Sequence, residues 1–522
     1  NVALKKNSRF LTDLSADGQE LTYLNEESEI LSNNQIALLY QLFIGKNKYI
    51  DYNTASQPIT NIYKKELDVS SFEETPIFGE DQMLIPKNLQ NMAECDLGFA
   101  ISSKEFLLSK GNRKIAMTLE LNTSSTEILS TLLLEICGKE EKSIETVFNN
   151  IFFNAFNISI TSSEGWLEPT DISVVPPKDW LLQPEIRIEF ELLAFQASTA
   201  NYDPELHEGY HFKCNEPIVL FTINQDKDYN PLLFLSVLEL NKIHFEIYVN
   251  SLTPEFVEND EGEADISSAV EIFGPSPRVG SKVKIFEEEI FYKNIRKLEV
   301  SWENSPIPNE IQDYKSHYLE YERGISNDSF KIKATFFDDL ENQKIMLNAG
   351  SAISFFADDE NNLLESERTL KFDLDRVLTE KSVRNSHLRN PRNSFLELSL
   401  VEPSFGFGYD IYNQVYNKYV SKISEKNGLN ENLNPPKDPI APKIKNLKIG
   451  YNSQFSIYLN PTHFSKNSKS THTQIYHVLP FGLEKTFKNG TSSTQSIITN
   501  YNFEGALYIG LSGEKLPRHL TF

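Results

Sequence analysis

Between Phe273 and Trp302 the chain sets a rigid turn directly ahead of two strand-like runs, and this stretch limits the fold more than any other. The turn reads Phe273-Gly274-Pro275-Ser276-Pro277-Arg278-Val279-Gly280-Ser281. Proline fixes φ and lacks an N–H donor, while glycine reaches conformations that side chains forbid. Such a run cannot continue a helix or lie in a central strand. Lys282 to Ile285 and Leu298 to Trp302 then read as strands. They flank a short apolar link, Glu289-Ile-Phe-Tyr-Lys293, with no nucleophile, metal cluster or phosphate loop. Turn formers and packing residues of this kind point to a part that is shaped, not one that reacts.

A chain of 522 residues is long enough for two to four domains with buried cores. Phe (35) and Tyr (22) are used heavily, which favours sheets and interfaces. A net charge of -24 argues against nucleic-acid binding, which depends on Lys and Arg neutralising phosphates. The acidity fits either simple solubility or a partner with basic patches. Three cysteines, Cys95, Cys137 and Cys214, do not make a disulfide framework, so synthesis in a reducing cytosol is expected. No apolar run reaches the length of a membrane span. The opening at Asn1 and the strand-like finish at Leu520-Thr-Phe522 suggest a chain that continues at both ends.

The expected class is a β-rich α+β fold, multidomain with several small mixed sheets. The expected units are an N-terminal β-rich segment over 1–95, an α+β domain over 96–200, and a β-rich domain with an acidic loop over 201–300. A mixed α/β domain over 301–433, a proline-rich linker over 434–442 and a C-terminal β-rich segment over 443–522 complete the division. Alternation in Lys114 to Leu121 and in Glu185 to Phe195 predicts strands. Ser124 or Ser125 is placed to cap a helix whose stripe is Ile128, Leu132 and Ile136, and Gly138 to close it. A second helix is expected over Ile144 to Phe156, and another over Tyr409 to Ile423. The acid-dense run Glu255 to Asp265 reads as a solvated loop.

Candidate chemistry is sparse. His207 and His211 with Cys214 form the one metal-like pattern, but Gly209 and Pro204 weaken the helix it would need, and loop residues are the preferred reading. His472 and His477 sit beside Pro480-Phe481-Gly482, where alternation suggests strands and a turn. Gly505-Ala-Leu-Tyr508-Ile-Gly510-Leu-Ser-Gly513 lacks the full nucleophile-elbow pattern and reads as a strand with close backbone approaches. The carboxylate runs Glu287 to Glu289 and Asp358 to Glu360 lack calcium-loop spacing. Trp166, Trp180 and Trp302 are expected in the core.

Taken in order, several segments resemble the baseplate J-like family, the large wedge proteins of contractile, phage-tail-like injection systems. The resemblance rests on Leu97-Gly98-Phe99-Ala-Ile-Ser-Ser with Glu105 to Arg113, on the turn Gly165-Trp166, and on the Phe273–Ser281 turn with Glu289 and Lys293. It also rests on Pro480-Phe481-Gly482 and the run from Gly505 through Tyr508 and Gly510 to Leu511, and covers roughly 91 to 522. It departs from the family pattern at Ser102-Ser103 and in the acidic segment before the Phe-Gly-Pro turn. The resemblance implies a structural baseplate component without catalysis, cofactor or metal. Its partners would be other wedge subunits, hub or spike and sheath proteins, joined in a hetero- or homo-oligomeric ring that rearranges on firing. It further implies assembly in a bacterial cytoplasm, in a particle released or anchored at the envelope, without direct membrane insertion. On this reading Phe273, Gly274, Pro275, Pro277, Gly280, Glu289, Lys293 and Trp302 lie at or near a subunit contact. Two rivals stand beside it: a secreted carbohydrate-binding or glycosidase-like β protein, which would need two carboxylates in an aromatic cleft, and a surface adhesin.

Overall fold

Strand alternation accounts for most of the architecture. The computed structural model describes residues 2–11, 22–31, 35–46, 59–68, 79–153, 155–175, 185–224, 231–306, 313–361, 363–376, 390–425, 433–459, 473–486, 495–499, 501 and 504–512. Within them the protein is a β-rich, multidomain α+β fold built of separate sheets, and every pairing between strands is antiparallel.

The largest sheet, of nine strands, runs in the order Asp171–Val175, Glu185–Leu192, Asn112–Leu121, Glu239–Leu252, Lys443–Tyr458, Ile295–Asn304, Glu367–Asp373, with the short strands Val270–Glu271 and Gln495–Ser496 paired beside Lys443–Tyr458 and Glu239–Leu252. A six-stranded sheet is centred on Ile218–Ile223 and Gly98–Ser102, and a seven-stranded sheet on Lys282–Phe286, Phe395–Glu402 and Lys331–Asp338. A four-stranded sheet joins Gly505–Ser512, Gln35–Lys46, Ile59–Leu67 and Ala93–Glu94. The first sheet therefore takes strands from the segments 96–200, 201–300, 301–433 and 443–522. The boundary expected at 300 cuts through the strand Ile295–Asn304, and those near 200 and 433 do not separate sheets either. Antiparallel pairing needs no local connection, so shifts in composition mark loops here and not the limits of folding units.

The nine- and six-stranded sheets meet face to face through aromatics. Phe99 stacks on Phe221 at 4.7 Å, and Phe190 of the larger sheet meets Phe221 edge-on at 6.2 Å. Within the six-stranded sheet Gly98 permits close pairing with the strand Ile218–Ile223: a β-carbon there would lie 1.9 Å from the Phe221 carbonyl oxygen. Helices Thr123–Glu140 and Ile144–Phe152 add Leu129, Leu132, Leu133, Val147, Phe148 and Ile151 to the same core.

Four local expectations are corrected. The first helix is capped by Asn122, whose side-chain oxygen accepts from Ser125 N at 2.7 Å, and it runs through Gly138 to Glu140. The second helix ends at Phe152, four residues early, because the strand Phe156–Ser162 must begin there. The third spans Tyr412–Glu425, since Gly406 and Gly408 hold a turn ahead of it. The acidic run after Glu255 is a hairpin, Phe256–Asn259 with Gly262–Glu263, because Val257 is drawn into the core. The proline-rich linker is docked: His317 Nε2 lies 3.0 Å from the Asp438 carbonyl, and Tyr321 OH donates to that of Lys437 at 2.9 Å. Trp180 and His472 fall outside the described residues. Among the described residues no helix is long and apolar enough to cross a membrane.

Candidate functional site

The link after Lys282–Phe286 crosses from the seven-stranded sheet to the nine-stranded one, and the chain buries its ionisable groups along that crossing. After Phe286 a short 3-10 turn, Glu288–Phe291, leads into Ile295–Asn304. Glu289 is 1% exposed and Lys293 is fully buried. A buried charge is tolerated only where hydrogen bonds replace water, and both residues have them. Glu289 accepts from the Ser109 amide at 2.6 Å through one carboxylate oxygen and from the Tyr451 hydroxyl through the other. The Lys293 ammonium donates to the backbone carbonyls of Glu105 at 2.6 Å and Lys104 at 3.2 Å. Asn294 Nδ2 donates to the Glu105 carboxylate at 2.5 Å.

Arg113 completes this end of the joint. It donates to the carbonyls of Ala197 at 2.8 Å, Leu193 at 2.9 Å and Gln196 at 3.2 Å. Burial lowers its basicity, and the Glu289 charge works against that. Burial likewise pushes the Glu105 carboxyl up and pulls the Lys293 ammonium down, each partly countered by the other's charge. The Tyr451 and Tyr292 phenols are driven well above their ordinary range, by burial first and then by Glu289.

A second staple closes the far side. Arg376 follows the strand Glu367–Asp373 of the nine-stranded sheet, and Asp338 ends the strand Lys331–Asp338 of the seven-stranded one. The two form a buried ion pair. The guanidinium also caps the carbonyls of Ile290 and Phe291, both at 3.1 Å, and lies 5.1 Å from the Phe336 ring centre. One cation thus holds both sheets and the turn between them.

Away from these charges the seam is aromatic. Trp302 stacks on Phe355 at 4.6 Å and 20°, and Phe273 lies 5.2 Å from the same ring. Gly274 and Gly280 both take positive φ, +81° and +96°, so the turn carrying Pro275 and Pro277 uses each glycine for a bend that side chains rarely adopt. Phe273 and Trp302 are each 2% exposed, so together with Glu289 and Lys293 they serve an internal contact of this chain.

The other candidates lie elsewhere. Gly98 and Phe99 lie in the six-stranded sheet, Gly98 close against the neighbouring strand and Phe99 stacked on Phe221. Gly165, at φ +111°, turns the chain so that Trp166 meets His207 and Tyr210 and donates Nε1–H to the Glu208 carbonyl at 3.0 Å. Phe481, Gly482, Gly505, Tyr508 and Gly510 gather at the four-stranded sheet. His207 is buried with one ring nitrogen against the Asp203 backbone and the other 3.1 Å from the Ser162 carbonyl, while His211 is exposed. The His207, His211 and Cys214 pattern therefore reads as loop and core. Among the described residues no group of three or more His, Cys, Asp or Glu side chains could hold a metal.

Glu105, Arg113, Asp338, Arg376 and Tyr451 are joint residues that the sequence reading did not single out as candidates. A signal existed for two of them. Arg113 has the parity of buried Ile115, Met117 and Leu119, and Asp338 that of buried Ile332, Ala334 and Phe336. A charge at an inward position of an alternating strand marks a buried partner.

No known protein family profile matches the chain. A stretch of 182 residues, 33% of this chain, is 25% identical to a protein described as Probable polyketide synthase 15 of Dictyostelium discoideum. The match covers 5% of that protein's length.

Proposed function

We propose that the chain is a structural subunit of a larger assembly, a wedge component of a contractile injection machine's baseplate that links hub and tube to sheath. One observation supports this reading above the others. Glu289, Lys293, Arg113, Arg376 and Asp338, which could otherwise serve chemistry, are all consumed in internal contacts: Arg376 with Asp338 across the two sheets, Glu289 and Lys293 in anchoring the link between them, and Arg113 in holding the loop after Glu185–Leu192. A part that transmits force between neighbours needs such a joint, because a buried, hydrogen-bonded polar network favours one arrangement over gradual deformation. The acidic surface and the resemblance of the Phe273–Trp302 segment to the wedge family point the same way.

Deletion of the chain from a producing cell is the test, with the particles examined by negative-stain electron microscopy. Loss of the baseplate, with tubes and sheaths left unjoined, is the expected result. Particles that assemble and contract normally without it would end the proposal.

A further inference from the structure

The four-stranded sheet projects an unfilled face. In the strand Gln35–Lys46 the half beyond Gln41 is largely packed, whereas Ile36 and Leu38 remain 40% and 44% exposed. Cross-strand register sets Tyr40 between Tyr508 on one side and Glu66 on the other, and Leu38 opposite Gly510. Phe481, from the turn Pro480-Phe481-Gly482, wedges against this face at 4.7 Å from Tyr40 and 4.5 Å from Tyr508. Between the sheet, that turn and Tyr210 lies an open groove of about 920 Å³, at the upper end of the range for ligand-sized pockets. Its charge is one-sided. The Lys64 ammonium is engaged by the Pro480 carbonyl at 3.0 Å, while Glu66 and Asp96 present exposed carboxylates on the rim.

We infer that this groove docks an extended peptide segment of a partner protein, apolar and basic residues alternating along it. Apolar residues would cover Leu38 and the Tyr508 edge, and Lys or Arg would face Glu66 and Asp96. An extended form suits the site because the floor is a sheet face, on which successive strand side chains alternate between two directions. In the four-stranded sheet Gly505–Ser512 is also a terminal strand among the described residues, a place where an added strand can pair. The inference rests on the assembly reading, whose partner surface it names.

The probe is a labelled Lys-Val-Lys-Leu-Lys-Val peptide titrated with the full chain at low salt and followed by fluorescence anisotropy. Saturable binding is expected, weakened at least tenfold by Glu66→Lys with Asp96→Lys and also by Tyr508→Ala. Because all three side chains are exposed, these variants should keep the parent circular dichroism. Equal binding of a Glu-Val-Glu-Leu-Glu-Val peptide, indifference to the charge reversal, or no binding at millimolar peptide would each overturn the inference. So would concentration-dependent self-association abolished by Tyr508→Ala, since the occupant would then be a second copy. If no peptide binds but a variant combining Glu66→Lys, Asp96→Lys and Tyr508→Ala is still built into particles, the docking inference alone falls. If peptides bind as expected yet particles form without the chain, only the assembly reading falls.

Discussion

Glu287 is where the joint should respond to pH, and the sign follows from its surroundings. It is 4% exposed, immediately after the strand Lys282–Phe286, with the carboxylates of Glu255, Glu289 and Glu288 around it. Burial first, then repulsion from Glu255 and Glu289, pushes its carboxyl from the ordinary 4.5 up to about 8. The folded state therefore holds this proton more tightly than the unfolded chain. Its stabilising contribution is complete below about pH 4.5 and is lost progressively as pH rises to about 8. At about 1.4 kcal/mol for each pH unit the full loss would approach 5 kcal/mol. Local rearrangement and sharing of protons with Glu255 reduce what is measured, and about 2 kcal/mol is a reasonable expectation. Glu287→Gln fixes the neutral form in nearly the same shape. Hydrogen exchange read by mass spectrometry over 282–304, at pH values corrected for intrinsic exchange, compares the two proteins locally. The variant should match the parent near pH 5 and protect the segment increasingly better toward pH 8.5. Parallel curves across that range would refute the argument that a neutral carboxyl is buried there.

Three further outcomes are expected. Arg376→Met and Asp338→Ala should each cost roughly 3–5 kcal/mol, because either leaves a buried charge uncompensated, and the double variant should cost clearly less than the sum; additive losses in urea unfolding would count against a coupled pair. Gly98→Val should fail to give soluble protein, since even a β-carbon would fall 1.9 Å from the Phe221 carbonyl oxygen, whereas Gly138→Ala, in a helix with nothing within 4 Å, should gain about 0.5–1 kcal/mol; a soluble Gly98→Val with the parent's melting temperature would contradict the close approach. Trp302→Ala should cost about 3–5 kcal/mol in thermal or urea unfolding through the lost stack on Phe355, and a cost below 1 kcal/mol would place that ring outside the core.

Strands were legible because their signal is local. Alternation placed Asn112–Leu121 and Glu185–Leu192 to within a few residues, and Pro with Gly marked the Phe273–Ser281 turn. Pairing was not legible. Nothing in Asn112–Leu121 states that it lies beside Glu239–Leu252 and not beside a nearer strand, so a sheet that draws on several segments is not visible in composition. The helix stop at Gly138 misled because glycine inside a helix costs only about 1 kcal/mol, less than the packing of the surrounding turns.

The joint itself shows which inference was within reach. In the sequence Glu289 and Lys293 belong to a turn-and-strand pattern, and the link between them reads as apolar because Ile290, Phe291 and Tyr292 dominate it. Yet an apolar run that carries a charge at each end must either expose both charges or bury both with partners. In the structure the flanking residues Phe286 and Ile295 are both in the core, and Glu289 and Lys293 are buried between them. Burial then demands counter-charges or donors from elsewhere. Arg113 and Asp338, at inward positions of otherwise apolar strands, are residues of the required kind. The pairing of Asp338 with Arg376, and of Glu289 with Tyr451, needs the third dimension, but the need for such groups follows from the parity of the strands alone.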